Sequence, residues 1–155
     1  MITQHWPKFS QFPLGKQIFN LIIRVMIPYT GSIRPQVLEL SDGKARVQMK
    51  DRRRVRNHLK SIHAVALMNL GEASTGLAVT SRLPDSARAI LTHLEIDFLK
   101  KARGTLISHA NFLENLNQIA ERKTFIVEAH IKNAAEEIVA KVKAHWLVGP
   151  KQAGR

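Results

Sequence analysis

The chain has 155 residues, 45% of them apolar, and no cysteine. That suits one domain with a substantial core and excludes general disorder, a disulfide framework, a thiolate nucleophile and a Cys-ligated metal. Lys and Arg number 24 against 12 Asp and Glu, a formal net charge of +12 that draws polyanions or anionic substrates without choosing among nucleic acid, a phosphorylated cofactor and an acidic membrane.

In residues 1–31 a polar and aromatic stretch with Pro7 and Pro13 leads into Ile18, Phe19, Ile22, Val25 and Met26, which recur at helical spacing before Pro28 and Gly31. The spacing predicts a short helix lying over the core. The run from Ile18 to Tyr29 contains Asn20 and Arg24 and falls short of the ~18 apolar residues of a membrane span. It resembles a weak secretory core but has no clear cleavage site, so it is read as part of the folded domain, with no stable membrane insertion. The absence of cysteine fits a reducing compartment, and the expected location is cytoplasmic.

Ile33 to Leu40 and Ala45 to Met49 read as strands joined across Ser41-Asp42-Gly43, where Asp-Gly signals a hairpin. The basic stretch Lys50 to Arg56 follows, and then one long central helix over about Ser61 to Thr80. Ser61 or Asn57 is the candidate cap, and Leu83-Pro84 lies beyond the end. Gly71 and Gly76 each cost about 1 kcal/mol of helix propensity relative to Ala. Their compensation is close backbone approach to a sheet or to another subunit. Few polar residues interrupt this helix, which marks it as buried.

The remainder reads as long strands. Ile90, Thr92, Leu94, Ile96 and Phe98 share one face against His93, Glu95 and Asp97; Leu106, Ser108, Ala110 and Phe112 form a second set. After the looser connection Glu114 to Ala120 come Phe125, Val127, Ala129 and Ile131. Ile138, Ala140, Val142, Ala144 and Trp146 come last, with a basic tail beyond Gly149-Pro150. One face of a long antiparallel sheet can bury the helix. The expected architecture is α+β, one long central helix wrapped by a curved antiparallel sheet of five or six strands. The divisions are a helical extension at 1–30, the main domain at 31–149 and the tail at 150–155.

The polar set around the central helix carries the chemistry. Asn57 and His63 precede it, and Glu72 stands among Leu70, Ala73 and Leu77, where a carboxylate must be paired, protonated or at work. Each has a structural alternative: a turn or cap for Asn57, a loop-positioning role for His63, a paired or solvent-facing acid for Glu72. Thr75 is a weaker candidate for holding water or the carboxylate, and Ser74 and Thr75 can instead bond helix carbonyls. His58 reads as a loop or packing residue. His93, His109, His130 and His145 are scattered among strands, and no metal site is expected.

With these residues in place, the chain resembles the hotdog fold, and within its thioesterase superfamily the branch of phenylacetyl-CoA thioesterase-like proteins. The strand pair, Arg56-Asn57-His58, His63, Glu72 and the stretch from Leu94 to Gly104 carry the resemblance, which spans roughly residues 30–148. Active members use an Asn, then a His followed by two glycines at the helix start, then an acid on the helix. Asn57, His63 and Glu72 fall at those positions, whereas Ala64 and Val65 replace the glycines.

The resemblance implies hydrolysis of an acyl-CoA to a carboxylic acid and CoA, with coenzyme A as part of the substrate and no separate cofactor. Glu72 would act as general base or nucleophile, Asn57 and His63 would orient water or the thioester, and the N–H groups of Ala64 and Val65 would meet the oxyanion. Arg52, Arg53, Arg54, Arg56 and Lys60 are candidates for the CoA phosphates, although a charge run also serves as solvated surface. The resemblance also implies a homodimer joined through its sheets, or a dimer of dimers (a homotetramer), with Asn57 of one chain facing Glu72 of the other. A non-catalytic acyl-CoA or lipid-binding protein is the alternative, motivated by Ala64 and Val65. Specific nucleic-acid binding is not expected, because no aromatic residues interleave with the basic ones to make a stacking platform.

Overall fold

The computed structural model describes residues 2–116 and 119–151. A 3₁₀ turn at Ile2–His5 leads into α1 (Trp6–Gln11), α2 (Gly15–Met26) and α3 (Pro28–Ser32). Strands β1 (Gln36–Ser41) and β2 (Lys44–Met49) follow, then a 3₁₀ turn at Arg53–Val55, the long helix α4 (Ala64–Ser81), and β3 (Ala87–Phe98), β4 (Leu106–Asn111), β5 (Lys123–Lys132) and β6 (Ile138–Pro150). The six strands form one antiparallel sheet in the order β1-β2-β4-β5-β6-β3.

The β1–β2 hairpin closes at Asp42-Gly43, with Ser41 paired to Lys44. Both turn residues have positive φ, 37° and 84°, as the right-handed strand twist demands of a tight hairpin turn. A side chain at Gly43 would also strike the Phe112 carbonyl, 1.8 Å from a built Cβ.

Strand alternation places Val47, Met49, Leu106, Ala110, Phe125, Val127, Ala129, Ile131, Val142, Ala144 and Trp146 on the inner face, where all are buried against α4. The glycines of α4 meet β6: a Cβ at Gly71 would lie 2.4 Å from a Val142 methyl, and one at Gly76 would lie 3.0 Å from the Trp146 ring. Close approach to the sheet is therefore their compensation. This unclosed six-stranded sheet around one long helix is the α+β hotdog architecture.

Three readings of the sequence are corrected. The β3 alternation breaks at Thr92, where the register slips between Leu91 and His93. Leu91 then faces inward with Leu94 and Ile96 while Ile90 is exposed, and the extra residue, Thr92, donates its hydroxyl to the His145 carbonyl at 3.0 Å. In α2 the buried apolar side chains are Phe19 and Ile23, with Gly15 and Asn20 beside them; Ile18, Val25 and Met26 are exposed. The cap of α4 is His63, not Ser61 or Asn57: His63 N–H donates to Val55 O and Ile62 N–H to Ala102 O, which keeps the chain extended until residue 63.

The N-terminal helices share the core. Trp6 packs edge-on against Phe19 with ring centroids 4.9 Å apart, Asn20 Oδ1 accepts from Val37 N–H at 2.7 Å, and Thr3 donates to Thr80 O at 3.1 Å. Of the expected C-terminal tail, residues 152–155 lie outside the described residues, as do 117 and 118 of the 114–120 connection.

Candidate active site along the central helix

The approach to α4 is a tight polar turn. Asn57 Oδ1 accepts from Leu59 N–H at 3.0 Å, Ser61 N–H at 3.2 Å and Ser61 Oγ at 3.4 Å, while Asn57 N–H donates to Ser61 O. Its carbonyl is saturated by the turn, leaving the amide NH₂ as its free chemistry. His63 is exposed and extended, and its Nδ1 accepts from Val65 N–H at 3.1 Å, satisfying one of the orphan donors of the first helical turn. Of the two expected oxyanion donors, Val65 N–H is thus engaged by His63.

Beside this turn is a hollow of about 600 Å³ bordered by Tyr29, Ser32, Arg54, Arg56, His63, Val65, Ala66 and Asn69. Asn69 Nδ2 donates to Tyr29 O at 3.2 Å, which sets the amide orientation and leaves its buried Oδ1 without a partner among the described residues. The cations here differ in freedom. Arg56 is held by Asp51 at 2.6 Å, and Asp51 also accepts from Gly104 N–H, so its carboxyl is held below the usual range, first by the Arg56 hydrogen bond. Arg52 donates to Ile33 O at 2.7 Å; burial first, and then Arg34, Arg24 and Arg54, push its guanidinium down. Arg53, Arg54 and Lys60 are exposed. Arg24 and Arg34 join this cationic group from a distant part of the chain, where no local run marks them.

Further along α4, a cavity of about 390 Å³ opens between the helix, α2 and β6. Its walls include Ile23, Met26, Ile27, Val37, Leu77 and Trp146, and Glu72 is its one charged member. Glu72 is half-buried with no hydrogen bond or ion pair to any described residue, and burial raises its pKa. Gly76, one turn on, leaves room for the Trp146 ring, which a Cβ there would approach to 3.0 Å, while Glu72 Oε1 would lie at an ordinary contact distance of 3.8 Å. Thr75 lies inside the helix packing and donates to the Glu72 backbone carbonyl at 3.0 Å, away from the carboxylate. Ser74 bonds Gly71 O and the Ser108 hydroxyl, stitching α4 to β4.

The hollow and the cavity lie end to end along one side of α4. Val65, Ala66 and Asn69 line the first and Glu72, Ala73 and Gly76 the second, with neighbours Tyr29 and Thr30 bordering one each. Within one chain the polar set does not converge: nine residues at about 1.5 Å rise separate His63 from Glu72 by roughly 13 Å along the axis. A cationic mouth, a helix start and an apolar cavity with one carboxylate can together take an amphipathic anion.

The histidines are less scattered than their spacing suggests. His93, Glu95 and His145 converge on the outer sheet face, with ligand atoms within 4.8 Å of one another. The β3–β6 register sets Lys143 opposite Glu95, on the face of the sheet opposite to buried Ala144 and Trp146.

No functionally curated protein matches the chain by sequence. Among solved structures, the genomics target APC5556 superposes with a TM-score of 0.83 at 26% identity, over 97% of this chain and 99% of that one. A Pseudomonas aeruginosa protein of unknown function gives 0.79 at 19% identity, over 90% and 99% of the two chains. A thioesterase enzyme from Staphylococcus aureus gives 0.70 at 15% identity, over 79% and 99%. These superpositions agree with the hotdog fold seen here. The chain belongs to the family described as a domain of unknown function, DUF4442, which it matches over residues 15–148.

Proposed function

We propose that the protein hydrolyses acyl-CoA thioesters, adding water to release a carboxylic acid and CoA. One observation carries this reading: the half-buried Glu72 carboxylate, without a partner among the described residues, in the wall of an apolar cavity, with a cationic hollow beside the same helix. The acyl group occupies the cavity, and the thioester carbonyl lies near Glu72. The CoA phosphates meet Arg54 at the mouth, with Arg52, Arg53, Arg56 and Lys60 around it. Glu72 activates water or attacks directly, and burial makes its carboxylate more basic at neutral pH than a solvated one. Ala64 N–H and, once His63 rotates away, Val65 N–H polarise the carbonyl.

A homodimer completes the site in this reading. Strand β3 is an edge of the sheet, bonded within the chain to β6 alone, and joining two such edges supplies the missing approach of Asn57 and His63 to the partner's Glu72. Placement beside the phenylacetyl-CoA thioesterase-like proteins rests on the Asn57, His63 and Glu72 spacing. A cytoplasmic location, where CoA thioesters are made, goes with it.

The test is free-thiol release from short, long and aromatic acyl-CoAs, phenylacetyl-CoA included, by wild type and Glu72→Gln. Turnover by wild type that falls ~100-fold or more in the variant is expected; equal activity in both would remove Glu72 from the chemistry. The second reading, an acyl-CoA-binding protein without turnover, is favoured by the Val65 side chain, 45% exposed where active relatives carry glycine. Calorimetric binding of acyl-CoA with no thiol release would select it.

A further inference from the structure

Residues 1–38 contain no aspartate or glutamate but carry Lys8, Lys16, Arg24 and Arg34. Within this segment the apolar arc of α2 is wider than its contact with the core. Phe19 and Ile23 point inward, whereas Leu14, Ile18, Leu21 and Val25 recur at steps of four and three and form an outward stripe, with Leu21 59% and Val25 70% exposed. Phe12, which shares a surface hollow with Lys8, extends the stripe at one end. At the other end Met26 and Ile27 are exposed and also wall the Glu72 cavity. No helix among the described residues is long and apolar enough to cross a membrane.

We propose that this stripe seats the protein peripherally on an anionic lipid surface, with α2 lying in the headgroup plane. Charge favours that occupant over a second copy of the chain. Lys8 stands beside Phe12, and no acid of residues 1–38 offsets the cations of this segment. Two copies docked here would oppose like charges on chains that each carry +12. Size points the same way. The helix strip is about 18 Å long and about 10 Å across, roughly 180 Å², against about 800 Å² per partner in a standard protein interface. A bilayer needs no shape-matched partner and takes an amphipathic helix of this size, the basic side chains reaching back to the phosphates. Since Met26 and Ile27 border both stripe and cavity, the cavity mouth would open at the lipid face, where an acyl chain can enter without crossing water.

Vesicle flotation of the full chain tests this without reference to thioester turnover, so its outcome and that of the hydrolase reading are separable. Wild type is expected to float with phosphatidylglycerol-containing vesicles at low salt, to float poorly with pure phosphatidylcholine, and to be released at about 0.5 M salt. Leu21→Glu/Val25→Glu should lower partitioning by roughly tenfold or more, with circular dichroism and melting unchanged because both side chains face outward. Leu21→Phe/Val25→Leu should retain binding. Wild type that stays in the aqueous layer at low salt, or a double-glutamate variant that floats as well as wild type, would overturn the proposal. So would a wild type that ignores vesicles while the double-glutamate variant sediments as a smaller species, which assigns the stripe to a protein contact.

Discussion

Replacing Gly71 by alanine should unseat α4 from the sheet next to Glu72. The new Cβ would stand 2.4 Å from one Val142 methyl, 2.9 Å from the Val142 Cβ and 3.0 Å from the other methyl. Carbon atoms pack at about 3.5–4.0 Å, so helix or strand must give by about 1 Å. Val142 has no room to retreat: it is fully buried and paired to Ala129 on β5 and Ile96 on β3. Overpacking costs about 1–3 kcal/mol, and an overlap this deep belongs in the upper half. Alanine's helix propensity returns about 1 kcal/mol. The net is a loss of about 1–2 kcal/mol, a melting point lower by about 2–8 °C for a domain of this size. Gly76→Ala is the control. Its Cβ meets the Trp146 ring at 3.0 and 3.1 Å, and that ring borders a cavity into which it can shift. The two effects then cancel to within about 0.5 kcal/mol. Urea and thermal unfolding of both variants, of Val142→Ala and of Gly71→Ala/Val142→Ala form the assay. With both methyls gone, Gly71→Ala should cost less by about 1 kcal/mol or more. A Gly71→Ala protein as stable as wild type, or an equal cost in both backgrounds, would refute the reasoning.

Two further predictions concern the site. Burial raises the folded-state pKa of Glu72 above its unfolded value. Between the two values the folded chain keeps a proton the unfolded chain has lost, so wild type should lose stability relative to Glu72→Gln as pH rises through that window and stay lower above it. Urea midpoints of both proteins at about pH 4 and about pH 8 read the gap; a wild type that gains on the variant would exclude burial as the dominant influence. Asn57→Ala should cost about 1–2 kcal/mol by orphaning the donors of Leu59 and Ser61. Asn57→Asp keeps the acceptor, and should restore the unfolding midpoint but not thiol release if the NH₂ group acts on substrate. Restoration of both would confine Asn57 to its turn.

Much of the fold was legible because its signals are local. Alternation over Phe125 to Ile131 and Ala140 to Trp146, the Asp42-Gly43 turn and the apolar run of α4 each depend on a few neighbouring residues. The misreadings arose where tertiary contact overrode a local pattern. Thr92 is a bulge because the partner strand offers it no opposite residue, and nothing in its neighbours announces that. The inward face of α2 is set by Trp6 and by the sheet edge, which select Phe19 and Ile23 from an arc apolar over more than half its circumference.

The site divides along the same line. Sequence by itself determined that an acid would stand in a buried helix, that Asn57 and His63 would precede it, and that the chain would be strongly basic, because residue identity and helical period need no folding to be read. Only the tertiary structure decided that Asn57 spends its carbonyl on a turn, that His63 caps α4, and that Glu72 faces a cavity walled by α2 and β6. It alone brought Arg24 and Arg34 to Arg52, and His93 to His145. The Asn57 and His63 bonds span two to four residues but depend on the path the chain is held to; the others join positions far apart in sequence, and only the closing of the sheet around the helix sets the distances between them.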